Sequence, residues 1–120
     1  MIRSLFPLAA MAICTASPAL AHAFLERAVP PVGSELAASP PELVLTFTEG
    51  VEPLFSSIEL RDAAGATVTI SKPHTRPGND RQLVIELPSL HEGKYTVIWH
   101  ATSVDTHKTE GKFRFSVGPH

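Results

Sequence analysis

Leu90-His91-Glu92-Gly93-Lys94-Tyr95-Thr96-Val97-Ile98-Trp99-His100-Ala101 is the stretch that decides the fold. Tyr95, Val97, Trp99 and Ala101 fall on alternate positions, and His100 points opposite to Trp99. Period-two alternation predicts a strand with one buried face and one wet face. A Leu, a Gly and a Tyr at the spacing of Leu90, Gly93 and Tyr95 look like a tyrosine corner, a feature of immunoglobulin-like sandwiches. The ordinary alternative is that Tyr95 is a core aromatic; both place the segment in a β-sandwich.

The same alternation continues on either side. Leu43, Leu45 and Phe47 alternate with Val44, Thr46 and Thr48, and Ile58 and Leu60 with Glu59 and Arg61. A turn at Asp62-Ala63-Ala64-Gly65 leads to Val68 and Ile70. Leu83, Ile85 and Leu87 follow, and Phe113, Phe115 and Val117 face away from Lys112, Arg114 and Ser116. With Phe24 to Ala28 as a first strand, this makes about seven strands. No segment keeps a 3.6-residue period, and Pro30-Pro31, Pro40-Pro41, Pro53 and Pro88 would break helices. The expected fold is all-β: an antiparallel immunoglobulin-like β-sandwich.

The start of the chain does not belong to that sandwich. Met1-Ile2-Arg3 is a short positive start, Leu5 to Ala16 is apolar, and Ala19-Leu20-Ala21 is a small-x-small cleavage signal. This is the layout of a secretory signal peptide. The apolar run is too short for a span, which takes about 20 residues. Residues 1–21 are therefore expected to be removed, leaving 99 of the 120 residues as one domain, 22–120, that starts at His22. A second cut, after Ala23 in Ala21-His22-Ala23, would leave Phe24 first. Cys14 is a poor lipoprotein site, because Ile13 before it is not small.

Cys14, Met1 and Met11 leave with the signal peptide, so the exported chain has no disulfide and no soft sulfur ligand. All six histidines remain: His22, His74, His91, His100, His107 and His120. Any metal site must then use nitrogen and oxygen donors. Losing Arg3 takes the net charge from −2 to −3. Charges of both signs are interspersed, which argues against nucleic acid as a partner.

Two features point to chemistry. As a free N-terminus, His22 offers its α-amino nitrogen and imidazole Nδ1 to one ion, closing a chelate ring. Copper(II) prefers a tetragonal set of nitrogen and oxygen donors. Asp105-Thr106-His107 adds a carboxylate and an imidazole that would share one side if the segment is a strand. Each has a plain alternative: an accident of cleavage for His22, a solvated turn for Asp105 and His107. His74, in the loop Lys72-Pro73-His74-Thr75-Arg76-Pro77-Gly78-Asn79, and His91, His100 and His120 read as solvated.

His22-Ala23-Phe24-Leu25, Pro30-Pro31-Val32-Gly33-Ser34, Leu45-Thr46-Phe47-Thr48-Glu49-Gly50-Val51 and Trp99-His100-Ala101-Thr102-Ser103-Val104-Asp105-Thr106-His107, running into Gly111-Lys112-Phe113, carry a resemblance. Over essentially the whole mature chain the sequence resembles the CopC family, small periplasmic copper-binding proteins of bacteria. The resemblance implies a β-sandwich of seven or so strands, one copper(II) ion per chain, and His22, Asp105 and His107 as its ligands. Glu49 matches an acidic position of the family, either near the metal, as a weak ligand or a group orienting a ligand or water, or simply a solvated strand end. Some relatives carry a methionine-rich copper(I) segment; its absence here implies a copper(II)-only member. Lys108 stands where many relatives have proline, which bears on the turn and not on the ligands.

Three functions follow as expectations. The first is a periplasmic, soluble, monomeric copper carrier or buffer, not an enzyme, that passes its ion to a CopD-like inner-membrane protein. The second is a copper oxygenase built on the histidine chelate, which needs an open coordination position and a broad substrate face. The third is a metal-free immunoglobulin-like interaction module, in which His22 could be lost without consequence.

Overall fold

The computed structural model describes residues 23–119, so the signal peptide, its cleavage site, His22 and His120 lie outside the described residues. Nine strands follow in order: β1 Leu25–Val29, β2 Glu35–Leu36, β3 Glu42–Phe47, β4 Ser57–Arg61, β5 Thr67–Val68, β6 His74–Arg76, β7 Asn79–Glu86, β8 Gly93–Thr102 and β9 Lys108–Val117. The one helical piece among them is a 3-10 turn, Pro53–Phe55, whose proline occupies a position needing no N–H partner. Among the described residues no helix is long and apolar enough to cross a membrane.

The strands form two sheets, β1-β3-β7-β6 and β2-β9-β8-β4-β5. All pairs are antiparallel except the two-residue β2, which runs parallel to the end of β9. Each of the seven alternating segments is found as a strand. The two additional ones, β2 and β6, are edge pieces of two and three residues. Neither is long enough to display a period, and Pro73 and Pro77 bracket β6, as edge positions tolerate. His74 therefore stands on a strand rather than in a loop, 3.5 Å from Glu86.

The core lies between the sheets. Leu43, Leu45 and Phe47 of β3 and Leu83 and Ile85 of β7 face Leu60, Val97, Trp99, Phe113 and Phe115 of the other sheet. Phe47 meets Trp99 edge to face at 5.2 Å, and Tyr95 stacks on Phe115 at 5.7 Å, spacings at which aromatic pairs attract beyond their buried area. The Tyr95 hydroxyl donates to the carbonyl of His91 at 2.7 Å, so the tyrosine corner is present. The turn after β4 is closed by Asp62, whose Oδ1 accepts the N–H groups of Ala64 and Ala66, with Gly65 at φ 86.

One hairpin positions the site. β8 and β9 pair without slip from Gly93↔Val117 to Thr102↔Lys108. Gly111 lies against the indole of Trp99: a Cβ there would stand 2.6 Å from the ring, so only glycine lets the two strands stay in register. The long, regular ladder delivers residues 103–107 to one end of the sandwich as a tight turn.

Candidate metal centre

β8 stops at Thr102 because Ser103 offers the backbone a local alternative to the ladder. Its N–H donates to the carbonyl of His107 at 2.9 Å, and its carbonyl accepts the N–H of Thr106 at 2.8 Å. Its buried hydroxyl accepts the N–H of His107 at 3.2 Å and donates to Asp105 Oδ1. Thr106 takes a left-handed φ of 74, rare outside glycine and costly for a β-branched residue. The result places Asp105 Oδ1 3.3 Å from His107 Nδ1.

Asp105 and His107 do come together, but not as neighbours on one side of a strand. Both belong to the turn, and the Ser103 hydroxyl with the reversed Thr106 brings them together. Both side chains are close to half exposed, so an ion can reach them. The hydrogen bond from Ser103, and after it the nearby His107, hold the Asp105 carboxyl below the usual carboxylate range. Two donors each about 2 Å from one ion stand roughly 3 Å apart when they take adjacent coordination positions. A 3.3 Å gap fits adjacent positions and is too short for opposite ones.

The start of the described chain is pinned beside this turn. Ala23 is fully buried, and its carbonyl accepts the hydroxyl of Thr109, just past His107, at 2.5 Å. Phe24 and Thr48 exchange two bonds: the Phe24 N–H donates to Thr48 Oγ1 at 3.0 Å, and the Thr48 N–H to the Phe24 carbonyl at 2.9 Å. Glu49 follows Thr48 and is exposed. Its neighbour Gly50 accepts the N–H of Val104 at 3.0 Å, so the Glu49 segment runs alongside the Asp105 turn. Among the described residues no third His, Cys, Asp or Glu joins Asp105 and His107 in a group that could hold a metal, and Glu49 makes no such trio. His100 is exposed and 3.1 Å from Glu110 on β9.

Ser103, Thr106 and Thr109 are the supporting residues that alternation could not reveal. A Ser two positions before an Asp is a recognisable local hydrogen-bonding signal; nothing in the sequence pairs Thr109 with Ala23. Ser103→Ala removes the hydrogen bond that does most to hold the Asp105 carboxyl below the usual carboxylate range. The Asp105 carboxyl then titrates higher, so protons compete with a metal ion at higher pH. The affinity of the Asp105–His107 pair for a metal ion is expected to fall by about 10–100-fold, the usual cost of losing a group that orients a metal-binding side chain. The acid limb of a binding-versus-pH curve is expected to move to higher pH. Calorimetric titration across a pH series checks both.

A family model described as a CopC domain matches residues 25–118. Protein YobA of Escherichia coli strain K12 is 37% identical over 113 residues, covering 90% of this chain and 91% of that protein. Copper transport protein CutJ of Bacillus subtilis strain 168 is 30% identical over 99 residues, which are 82% of this chain but 18% of that much longer protein. The crystal structure of CopC from Methylosinus trichosporium OB3b superposes with a TM-score of 0.78 at 38% identity, covering 82% of this chain and 96% of that one. A family model spanning the whole described sandwich, relatives of this similarity and the shared two-sheet fold lead to one conclusion: the chain belongs to the CopC family.

Proposed function

We propose that this chain is exported to the periplasm, loses residues 1–21, and there binds one copper(II) ion for copper homeostasis, carrying or buffering it until an inner-membrane partner of the CopD type takes it. The ligands are the α-amino nitrogen and imidazole of His22, with Asp105 and His107; Glu49 stands nearby to orient a ligand or a water. The observation that carries this is the Asp105–His107 pair, held 3.3 Å apart beside the anchored Ala23. A peptide bond joins His22 to Ala23, so a chain cut after Ala21 begins one residue from that anchor. Three nitrogens and one oxygen make a donor set suited to copper(II), and the loss of Met1, Met11 and Cys14 leaves nothing soft to favour copper(I).

Transfer to a partner has its own support. Phe24, Leu54, Phe55 and Val104 are 54–89% exposed, and all belong to segments bonded to the end of the sandwich that carries Asp105 and His107. Exposed apolar side chains gathered around a site mark a contact surface for another molecule. The Bacillus relative is a copper transport protein in which the matching stretch is a minor part, so the same domain works there next to much additional chain. A carrier also fits better than an oxygenase, since the single tryptophan, Trp99, is buried against Phe47 and unavailable to a substrate. Intact mass of the exported protein, with and without copper(II), tests the proposal. It predicts a chain starting at His22 that gains one copper; a chain starting at Phe24, or one that takes up no copper, contradicts it.

A further inference from the structure

A second binding feature lies on the outer face of the five-stranded sheet, away from the turn. Arg61 of β4, Thr96 of β8 and Arg114 of β9 stand side by side in one row of the register, and Lys112 pairs with Ile98 two residue pairs further along the same ladder, on the same face. With strands about 4.8 Å apart, the two arginines flank Thr96 within about 10 Å of each other, close enough for their long side chains to converge. They line a hollow of about 500 Å³ together with Thr96 and Lys112.

The charges there are unbalanced. Arg61 donates from Nη2 to Glu59 at 2.8 Å and from Nη1 to the Gly65 carbonyl at 3.4 Å, which uses up Glu59. Its Nε is buried with no hydrogen-bond partner. Asp62, at the rim, turns its Oδ1 to the backbone of its own loop. Among the described residues the side chains of Lys112 and Arg114 have no ion pair or hydrogen bond, and both are exposed. Two uncommitted cations, with the Arg61 guanidinium and the Thr96 hydroxyl beside them, are donors that a tetrahedral oxyanion satisfies together.

We propose that this hollow binds a phosphate group, either free or carried on a lipid headgroup. Copper plays no part in it, so its failure and that of the copper site are separable.

The test uses the mature chain and inorganic phosphate, followed by amide chemical shifts in NMR. Saturable shifts are expected around Thr96, Lys112 and Arg114, absent with chloride at equal ionic strength. Arg114→Ala and Lys112→Gln are each expected to weaken binding by about tenfold or more, the loss of one charge-assisted bond. Their copper(II) uptake and thermal melts should stay those of the wild type. Co-sedimentation with phosphatidylcholine vesicles, with and without phosphatidylglycerol, separates the sources. Retention only on anionic vesicles identifies a headgroup; shifts with phosphate and no retention identify the free anion. No saturable response to either probe, or equal affinity in both variants and wild type, overturns the proposal.

Discussion

His107→Ala is expected to lower copper(II) affinity by more than the roughly hundredfold that loss of a merely orienting residue costs. In the proposed site the substitution removes a donor rather than a support, and it leaves Asp105 Oδ1 without the nitrogen now 3.3 Å away. The His107 side chain is about half exposed, so the variant should fold and melt like the wild type. His100→Ala is the matched control. His100 is similarly exposed but sits over Glu110 on the sheet face, three residues before Ser103, where the turn begins. Its loss should leave copper(II) affinity unchanged. Calorimetric titration of both variants decides, and a His107→Ala protein that binds as tightly as wild type would remove the ligand assignment.

Trp99→Ala is expected to destabilise the fold by about 3–5 kcal/mol, the usual cost of emptying a large aromatic site in a core. Trp99 is 6% exposed, packs edge to face on Phe47 and fills the space that Gly111 leaves open. No side chain at position 111 can swell into the gap, so little of the cavity can close. A domain of this size holds about 5–15 kcal/mol in total, so the loss is a large share of it. The melting temperature should drop by roughly 12 °C or more, at about 4–8 °C per kcal/mol for small domains. Thermal unfolding followed by circular dichroism measures this; a shift under about 4 °C would mean that Trp99 is not a core anchor.

The sandwich could be read from the sequence wherever a strand was long enough to alternate. β8 and β9 each run ten residues and declare their buried faces plainly through Tyr95, Val97, Trp99, Phe113 and Phe115. β2 and β6 could not be seen, because two or three residues hold no period and pairing alone makes them strands. The site divides similarly. Asp105 and His107 stand out by residue type, and they lie together as expected. The means is different: a turn closed by the Ser103 hydroxyl and a left-handed Thr106, neither of which alternation encodes. The bond from Thr109 to the Ala23 carbonyl joins residues 86 positions apart, a separation that only the folded chain reveals. Glu49 follows the residue paired with Phe24 and remains exposed, a position that suits a group beside the metal and a solvated strand end equally.

Most of the proposed copper assignment depends on a free amine at His22. Calorimetric titration with copper(II) should therefore compare the chain beginning at His22 with the same chain carrying a four-residue Gly-Ser extension ahead of it. The extension leaves the imidazole, Asp105 and His107 in place and turns the α-amino nitrogen into an amide. One tight copper(II) per chain is predicted for the free form, with affinity falling by more than about hundredfold in the extended form. Equal affinity in the two would contradict the site at its centre.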